Sequence, residues 1–228
     1  MRQVDTSTTT WICDVCHETK SCTVHPTCTF GGVGGSMRFR PGERAPHFVA
    51  QSYDGSHIDL ATLLQRKRVW LAFFRFVTCP MCNLRLHELA VKWPSLRTDD
   101  MEMIAVFQST PASVEEWLTE SRPPIRVIAD EDMRLYQTYG VETSVWAAIR
   151  PEPQLRMLQA RRQGIVRQAP PEGPRTRVPA DFLIEQDGTL RDAYYGKHIA
   201  DHIGLDRVER FVARQASSVV APLVGQPA

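Results

Sequence analysis

Runs of apolar residues of strand length alternate with stretches of helical pattern from about residue 46 onward. His47-Phe48-Val49-Ala50 reads as a short strand, closed by an Asp54-Gly55 turn. Asp59 is placed to cap a short helix through Leu64. Arg68 to Phe76 (RVWLAFFRF) is near-continuously apolar, which implies burial on both faces, as in a central parallel strand. Pro80 to about Trp93 reads as a helix with Leu84, Leu89 and Ala90 on its inner face, its end disturbed by Pro94. Glu102 to Gln108 (EMIAVFQ) is a second buried strand. Ser113-Val114-Glu115-Glu116 reads as a capping box opening a helix. Arg126 to Ala129 is a third, shorter strand, and Glu131 to Tyr139 a helix stopped by Gly140.

Residues 143–177 break the alternation: Trp146 to Gln163 is helical in part, kinked by Pro151 and Pro153, and runs into a Pro/Gly-rich loop. Asp181 to Glu185 and Leu190 to Tyr195 then form a hairpin around Asp187-Gly188. Leu205 to Gln215 is a closing amphipathic helix. Strands alternating with helices predict parallel pairing, and the hairpin predicts an antiparallel edge, so the sheet is mixed.

The first 36 residues differ from the rest. They hold Cys13, Cys16, Cys22 and Cys28, with His17 and His25, and end in a flexible Gly31-Gly32-Val33-Gly34-Gly35-Ser36 run. The organisation expected is therefore a Cys-rich segment over 1–36, a domain over 37–217 carrying the insert at 143–177, and a tail over 218–228. At 43% hydrophobic and 23% charged residues the chain has enough apolar content for a packed core. A net charge of +1 announces neither a nucleic-acid nor a membrane partner. The polar N-terminus has no secretory pattern and no window approaches about 18 apolar residues, which places the protein in the cytoplasm. There, paired cysteines signal metal or redox chemistry more often than structural crosslinks.

Cys79-Pro80-Met81-Cys82 is the most informative feature. It falls where a buried strand turns into a helix, with Cys79 at the N-cap and Pro80 at the first helical position. Cys82 lies three residues on, so both sulfurs share a face. Free first-turn N–H groups and the helix dipole lower the pKa of Cys79, making it the attacking thiolate. Cys82, expected to be the more buried, is the resolving thiol. The competing readings are two structural core cysteines, or a metal site completed by the N-terminal segment.

FFRFVTCPMCNLRLHEL, RLYQTYGVETSVW and VPADFLIEQDGTLRDAYYGKHIADH together resemble the peroxiredoxin-like proteins of the alkyl hydroperoxide reductase/thiol-specific antioxidant superfamily, over roughly residues 38–215. The resemblance implies a thioredoxin-like α/β three-layer sandwich and an antioxidant or disulfide-reductase activity. It puts Cys79 at the nucleophile position and Cys82 at the resolving position, and makes Pro179 a cis-proline packed against them. True peroxiredoxins frame the peroxidatic cysteine as Pro-x-x-x-Thr/Ser-x-x-Cys. Counting back from Cys79 gives Phe76 and Ala72; counting from Cys82 gives Cys79 and Arg75. Thr78 supplies a hydroxyl directly beside the cysteine, and Arg75 or Arg126 a cation. The missing frame puts thiol–disulfide exchange ahead of peroxide reduction.

Cys13, Cys16, Cys22 and Cys28 are close enough in sequence to surround one structural zinc, although the spacing is not the paired-knuckle pattern. A redox relay to Cys79–Cys82 and unremarkable thiols are the alternatives. Seven arginines between residues 150 and 177, against Glu152 and Glu172, suit a solvated face or a lid near the site, since no nucleic-acid motif accompanies them. His87 and Glu88 read as surface residues. The leading expectation is an enzyme that needs no cofactor and is reset by an external thiol reductant of the thioredoxin or glutathione type. The alternative is a non-enzymatic redox sensor or zinc-dependent interaction module on the same scaffold.

Overall fold

The computed structural model describes residues 38–119, 125–166 and 169–218. The four N-terminal cysteines and the zinc expectation lie outside these residues, as does the tail from 219.

The sheet is built around the apolar run. Strand β3 (Arg68–Phe73) is buried at every position and sends alternate side chains to opposite faces. Trp70, Ala72 and Phe74 enter one apolar cluster; Val69, Leu71 and Phe73 enter the other. β4 (Met101–Phe107) pairs parallel with β3, and β5 (Arg126–Ala129) parallel with β4. β6 (Ala180–Ile184) runs antiparallel on the other side of β3, and β7 (Leu190–Tyr195) antiparallel to β6, giving the order β5-β4-β3-β6-β7. The mixed sheet with a hairpin edge is the one the pattern predicts. β1 (Val49–Gln51) does not join it; it pairs with β2 (His57–Asp59) in a separate antiparallel ribbon.

Helices α2 (Pro80–Leu96), α3 (Pro111–Thr119) and α7 (Leu205–Ser218) supply residues to the first cluster. Helices α1 (Leu60–Leu64) and α4 (Arg134–Thr138), with the β1–β2 ribbon, supply the second. The result is a three-layer, thioredoxin-like sandwich. Among the described residues no helix is long and apolar enough to cross a membrane.

Local details depart from expectation for identifiable reasons. Asp59 caps α1 as foreseen, accepting from Ala61 and Thr62 N–H. α3 begins two residues before the expected capping box, because the Thr110 hydroxyl accepts the Ser113 N–H at 3.2 Å and Pro111 fits the first helical position. α4 begins late: Met133 adopts a left-handed φ of 57°, and the Asp130 carboxylate takes the N–H groups of Arg134, Leu135 and Tyr136. α2 continues past Pro94 to Leu96, at the cost of the one backbone hydrogen bond that Pro94 cannot donate to the preceding turn. Ala90 faces outward, and Trp93 and Leu96 extend the buried side instead. The insert holds two helices, α5 (Val145–Ala148) and α6 (Pro151–Arg162), with Pro151 opening the second rather than kinking one.

One polar group sits in the middle of this core. Asp181, fully buried on β6, accepts from Trp70 Nε1 (3.0 Å), His202 Nδ1 (3.0 Å) and Ile203 N–H (2.9 Å). Burial pushes its carboxyl up, but the charge and hydrogen bond of His202, the nearby Arg85 and the Ile203 N–H outweigh it, and the net shift is downward. Asp181→Ala strands buried Arg85 and His202 without their anion, so a loss of about 3–5 kcal/mol is expected in urea unfolding. A loss below about 1 kcal/mol would show that the pair is structurally idle.

Candidate active site

β3 ends at Phe73, and residues 74–79 leave the sheet to enter α2. Three anchors shape this turn. Gln108 N–H donates to Arg75 C=O at 2.8 Å, and Val77 N–H to the Ser109 hydroxyl at 3.1 Å. Asn83 reaches back from the first turn of α2, donating to Val77 C=O (2.6 Å) and Cys79 C=O (3.1 Å). Its own oxygen is held by Trp117 Nε1 of α3 at 2.7 Å. Asn83 and Trp117 were not among the expected site residues. The available signal was an Asn four residues after Cys79, within reach of a helix-entry turn.

The structure places Cys79 at the N-cap of α2 with Pro80 next, as read from the sequence, and both cysteines are free thiols. Both are buried, Cys79 at 0% and Cys82 at 3% exposure, so neither sulfur is open to solvent. Cys79 is held down to about 6. The largest cause is the Cys82 thiol, which donates to it; burial opposes, and the Arg75 guanidinium and the N–H groups of Cys82 and Met81 add to the lowering. Cys82 moves the opposite way. Burial pushes it well up, and the bond to Cys79 and the Cys79 charge push further, against Arg75. One thiolate and one thiol therefore share a proton as a coupled pair.

Of the two candidate cations, only Arg75 is at the site. It is buried, its guanidinium lies 5.0 Å from the Phe76 ring, and its Nε and Nη1 have no hydrogen-bond partner among the described residues. A buried donor pair left open beside a thiolate is costly unless something accepts from it. Arg126 sits on β5 at the sheet edge, paired with Glu102 at 2.9 Å and donating to His57 C=O.

Thr78 does not present a free hydroxyl. It donates to Pro170 C=O at 3.3 Å and so ties down the loop 169–177. The same loop is held by the Ser113 hydroxyl on Glu172 and by Gln108 Nε2 on Pro174 C=O (3.1 Å), and Arg177 at its end donates to Gln108 Oε1 (3.0 Å). This end of the insert thus acts as a cover pinned beside the cysteines, and α6 is clamped to α2 by a two-pronged Arg156–Glu88 pair at 2.7 and 2.8 Å. Glu88 is therefore an anchor, while His87 is exposed as expected. With Thr78→Val and Ser113→Ala combined, alkylation of Cys79 by iodoacetamide is expected to speed up about tenfold, as two modest hydrogen bonds are lost. An unchanged rate would remove the loop as the barrier.

The Val178–Pro179 bond is trans, as are all described peptide bonds, and the cis-proline expectation is corrected. Val178 N–H donates to Glu142 C=O (3.0 Å) and Gly196 N–H to Pro179 C=O (2.9 Å), which holds an extended path into β6. It is Val178 that joins the apolar cluster containing both cysteines.

No curated protein matches the chain. Solved structures do match in fold. They include the peroxidoxin BcpB from Mycobacterium tuberculosis, at 13% identity and TM-score 0.54 over 81% of this chain and 100% of that one. A reduced 2-Cys peroxiredoxin from Plasmodium vivax aligns at 15% and 0.56 over 82% and 90%. A thiol peroxidase from Chromobacterium violaceum aligns at 13% and 0.52 over 79% and 90%. The AhpC/TSA family matches residues 41–193, two thirds of the sequence, including both cysteines, Arg75 and the 169–177 loop. The chain therefore belongs to the AhpC/TSA family, as a thiol-dependent redox enzyme on a thioredoxin-like fold.

Proposed function

We propose that this enzyme reduces small peroxides, with Cys79 as the attacking sulfur and Cys82 as the resolving one. The observation that carries the reading is the buried Arg75: its Nε and Nη1 have no hydrogen-bond partner among the described residues, and its charge helps to lower the pKa of a thiolate enclosed from solvent. A hydroperoxide is small enough for such a site and offers oxygen acceptors to the guanidinium; a protein disulfide needs the cover opened widely. This weighs against disulfide exchange, which the missing Pro/Thr frame favoured.

The Cys79 thiolate attacks the terminal peroxide oxygen and the O–O bond breaks. Cys79 becomes a sulfenic acid, oxidised by two electrons, and the leaving oxygen departs as alcohol or water after taking a proton. Arg75 stabilises the charge that develops on that oxygen. Oxidation then removes the Cys79 charge, one of the causes that hold Cys82 protonated, while Arg75 remains. Cys82 can now release its proton to the departing hydroxyl, attack the Cys79 sulfur, expel water and form the Cys79–Cys82 disulfide. Two electrons and two protons from an external thiol reductant restore the pair.

Stoichiometric hydrogen peroxide added to the reduced protein tests this. Loss of two thiols and an intramolecular 79–82 disulfide in peptide mass spectrometry support the reading. Inertness to peroxide with rapid reduction of a small disulfide would overturn it in favour of exchange. Zinc held by Cys13, Cys16, Cys22 and Cys28 remains a separate proposal, tested by the metal content of the full chain beside Cys13→Ser and Cys16→Ser.

A further inference from the structure

Among the described residues, every exposed large apolar side chain except Val91 falls between residues 145 and 166. Trp146 is 79% exposed, Val145 and Leu155 67%, and Ile149 65%, with Leu158 and Val166 also exposed. Single exposed apolar residues need no explanation, but a concentration of them in one segment does. They are not a misplaced core. The inner side of α6 is already used, with Pro153 and Ala160 buried and Arg156 clamped to Glu88. α5 is tied to the domain by the Ile199 N–H donating to Ala147 C=O, and Leu155 of α6 lines a recess with His198 and Ala200. Both helices therefore border the 198–200 loop, and both turn apolar side chains to solvent.

Cations accompany this surface. Arg161 and Arg162, in the last turn of α6, are exposed and make no ion pair among the described residues; Arg150 pairs with Glu152 at 3.5 Å. A net charge of +1 over the whole chain conceals this local excess.

The geometry points to a peripheral attachment surface on α5 and α6 for an anionic lipid bilayer. A second copy is disfavoured, because a two-fold interface would set Arg150, Arg161 and Arg162 of each chain against a like-charged face. A globular partner needs a complementary shape, whereas α5 and α6 present Trp, Ile, Leu and Val side chains spaced along two helices. A bilayer needs no shape match: the apolar side chains enter the interface and the guanidinium groups remain at the headgroups. Trp is the residue best suited to that boundary.

The test is co-sedimentation of the full chain with vesicles of phosphatidylcholine alone and of phosphatidylcholine with phosphatidylglycerol. Binding is expected only to the second and is reversed by salt. Arg161→Gln with Arg162→Gln should weaken it by about 30-fold, from roughly fivefold per arginine. Trp146→Ser with Ile149→Ser should abolish it, and neither pair should alter peroxide turnover in solution. The proposal is overturned by absence of binding, by equal binding to both vesicles, or by binding that both double variants leave intact. It is equally overturned if the lipid-free chain self-associates in sedimentation equilibrium and Trp146→Ser disperses it, which would assign the face to a second copy.

Discussion

Cys79→Ser is expected to consume no hydrogen peroxide above the uncatalysed rate, while Cys82→Ser oxidises once and then stalls. The asymmetry follows from the opposed shifts of the two sulfurs. Cys79 is the group held down to about 6, and Cys82 the one pushed well up, so only Cys79 is substantially ionised at pH 7. The stalled Cys82→Ser species is a sulfenic acid, trapped as a dimedone adduct at Cys79. A Cys82→Ala variant separates resolution from activation. Both substitutions remove the resolving sulfur, but only alanine removes the donor that is the largest cause of the Cys79 shift. The inflection of the peroxide rate is therefore expected near pH 6 in the parent and slightly above it in Cys82→Ser. In Cys82→Ala it should lie clearly higher. If instead Cys82→Ser is inert and Cys79→Ser still reacts, the two roles are reversed.

The second large effect belongs to Arg75→Met, which keeps the apolar stem and removes the cation. In the parent the rate should rise with pH through about 6 and then level, because the thiolate is the reactive form. Thiolate lost entirely back to the ordinary value of 9 would shrink the reactive pool at pH 7 by about 90-fold. A less stabilised thiolate is also a better nucleophile, which returns roughly 10- to 30-fold of that loss over the same range. Ionisation alone therefore predicts only a several-fold loss at pH 7. Loss of a cation aimed at the leaving oxygen adds about 10²–10³. A measured fall beyond about 100-fold assigns Arg75 to the peroxide itself; a fall of a few-fold, recovered at high pH, restricts it to holding the thiolate.

The same shift has a stability consequence of definite sign. A thiol whose folded pKa lies below its unfolded value stabilises the fold above the unfolded pKa, and that contribution is lost as pH falls through the folded one. The reduced protein is thus expected to gain stability from about pH 6 toward 9. The oxidised protein, with no thiol at residue 79, gains nothing from this source.

The periodicity of the sequence determined the sheet. A nine-residue apolar run can satisfy both its faces only between two layers, so β3 had to be central, and the Asp187-Gly188 turn had to close an antiparallel edge. The helix entry at Cys79 and Pro80 was equally local, since both positions are set by capping chemistry within one turn. β2 was lost to the pattern because its three residues, His57 to Asp59, are strand only through pairing with β1. Arg75 lies four residues before Cys79 in sequence, but that Arg126 is taken up by Glu102 at the sheet edge depends on the pairing of β4 with β5. Thr78 looked available until the loop 169–177, some 90 residues away in sequence, engaged its hydroxyl. The path of the chain through Val178 and Pro179 and the clamp of Asn83 by Trp117 likewise rest on partners elsewhere in the chain. Local sequence determined which residues are candidates for the chemistry and on which elements they lie. Tertiary structure decided which charges and hydroxyls reach them, because each of those contacts joins elements that no periodicity relates.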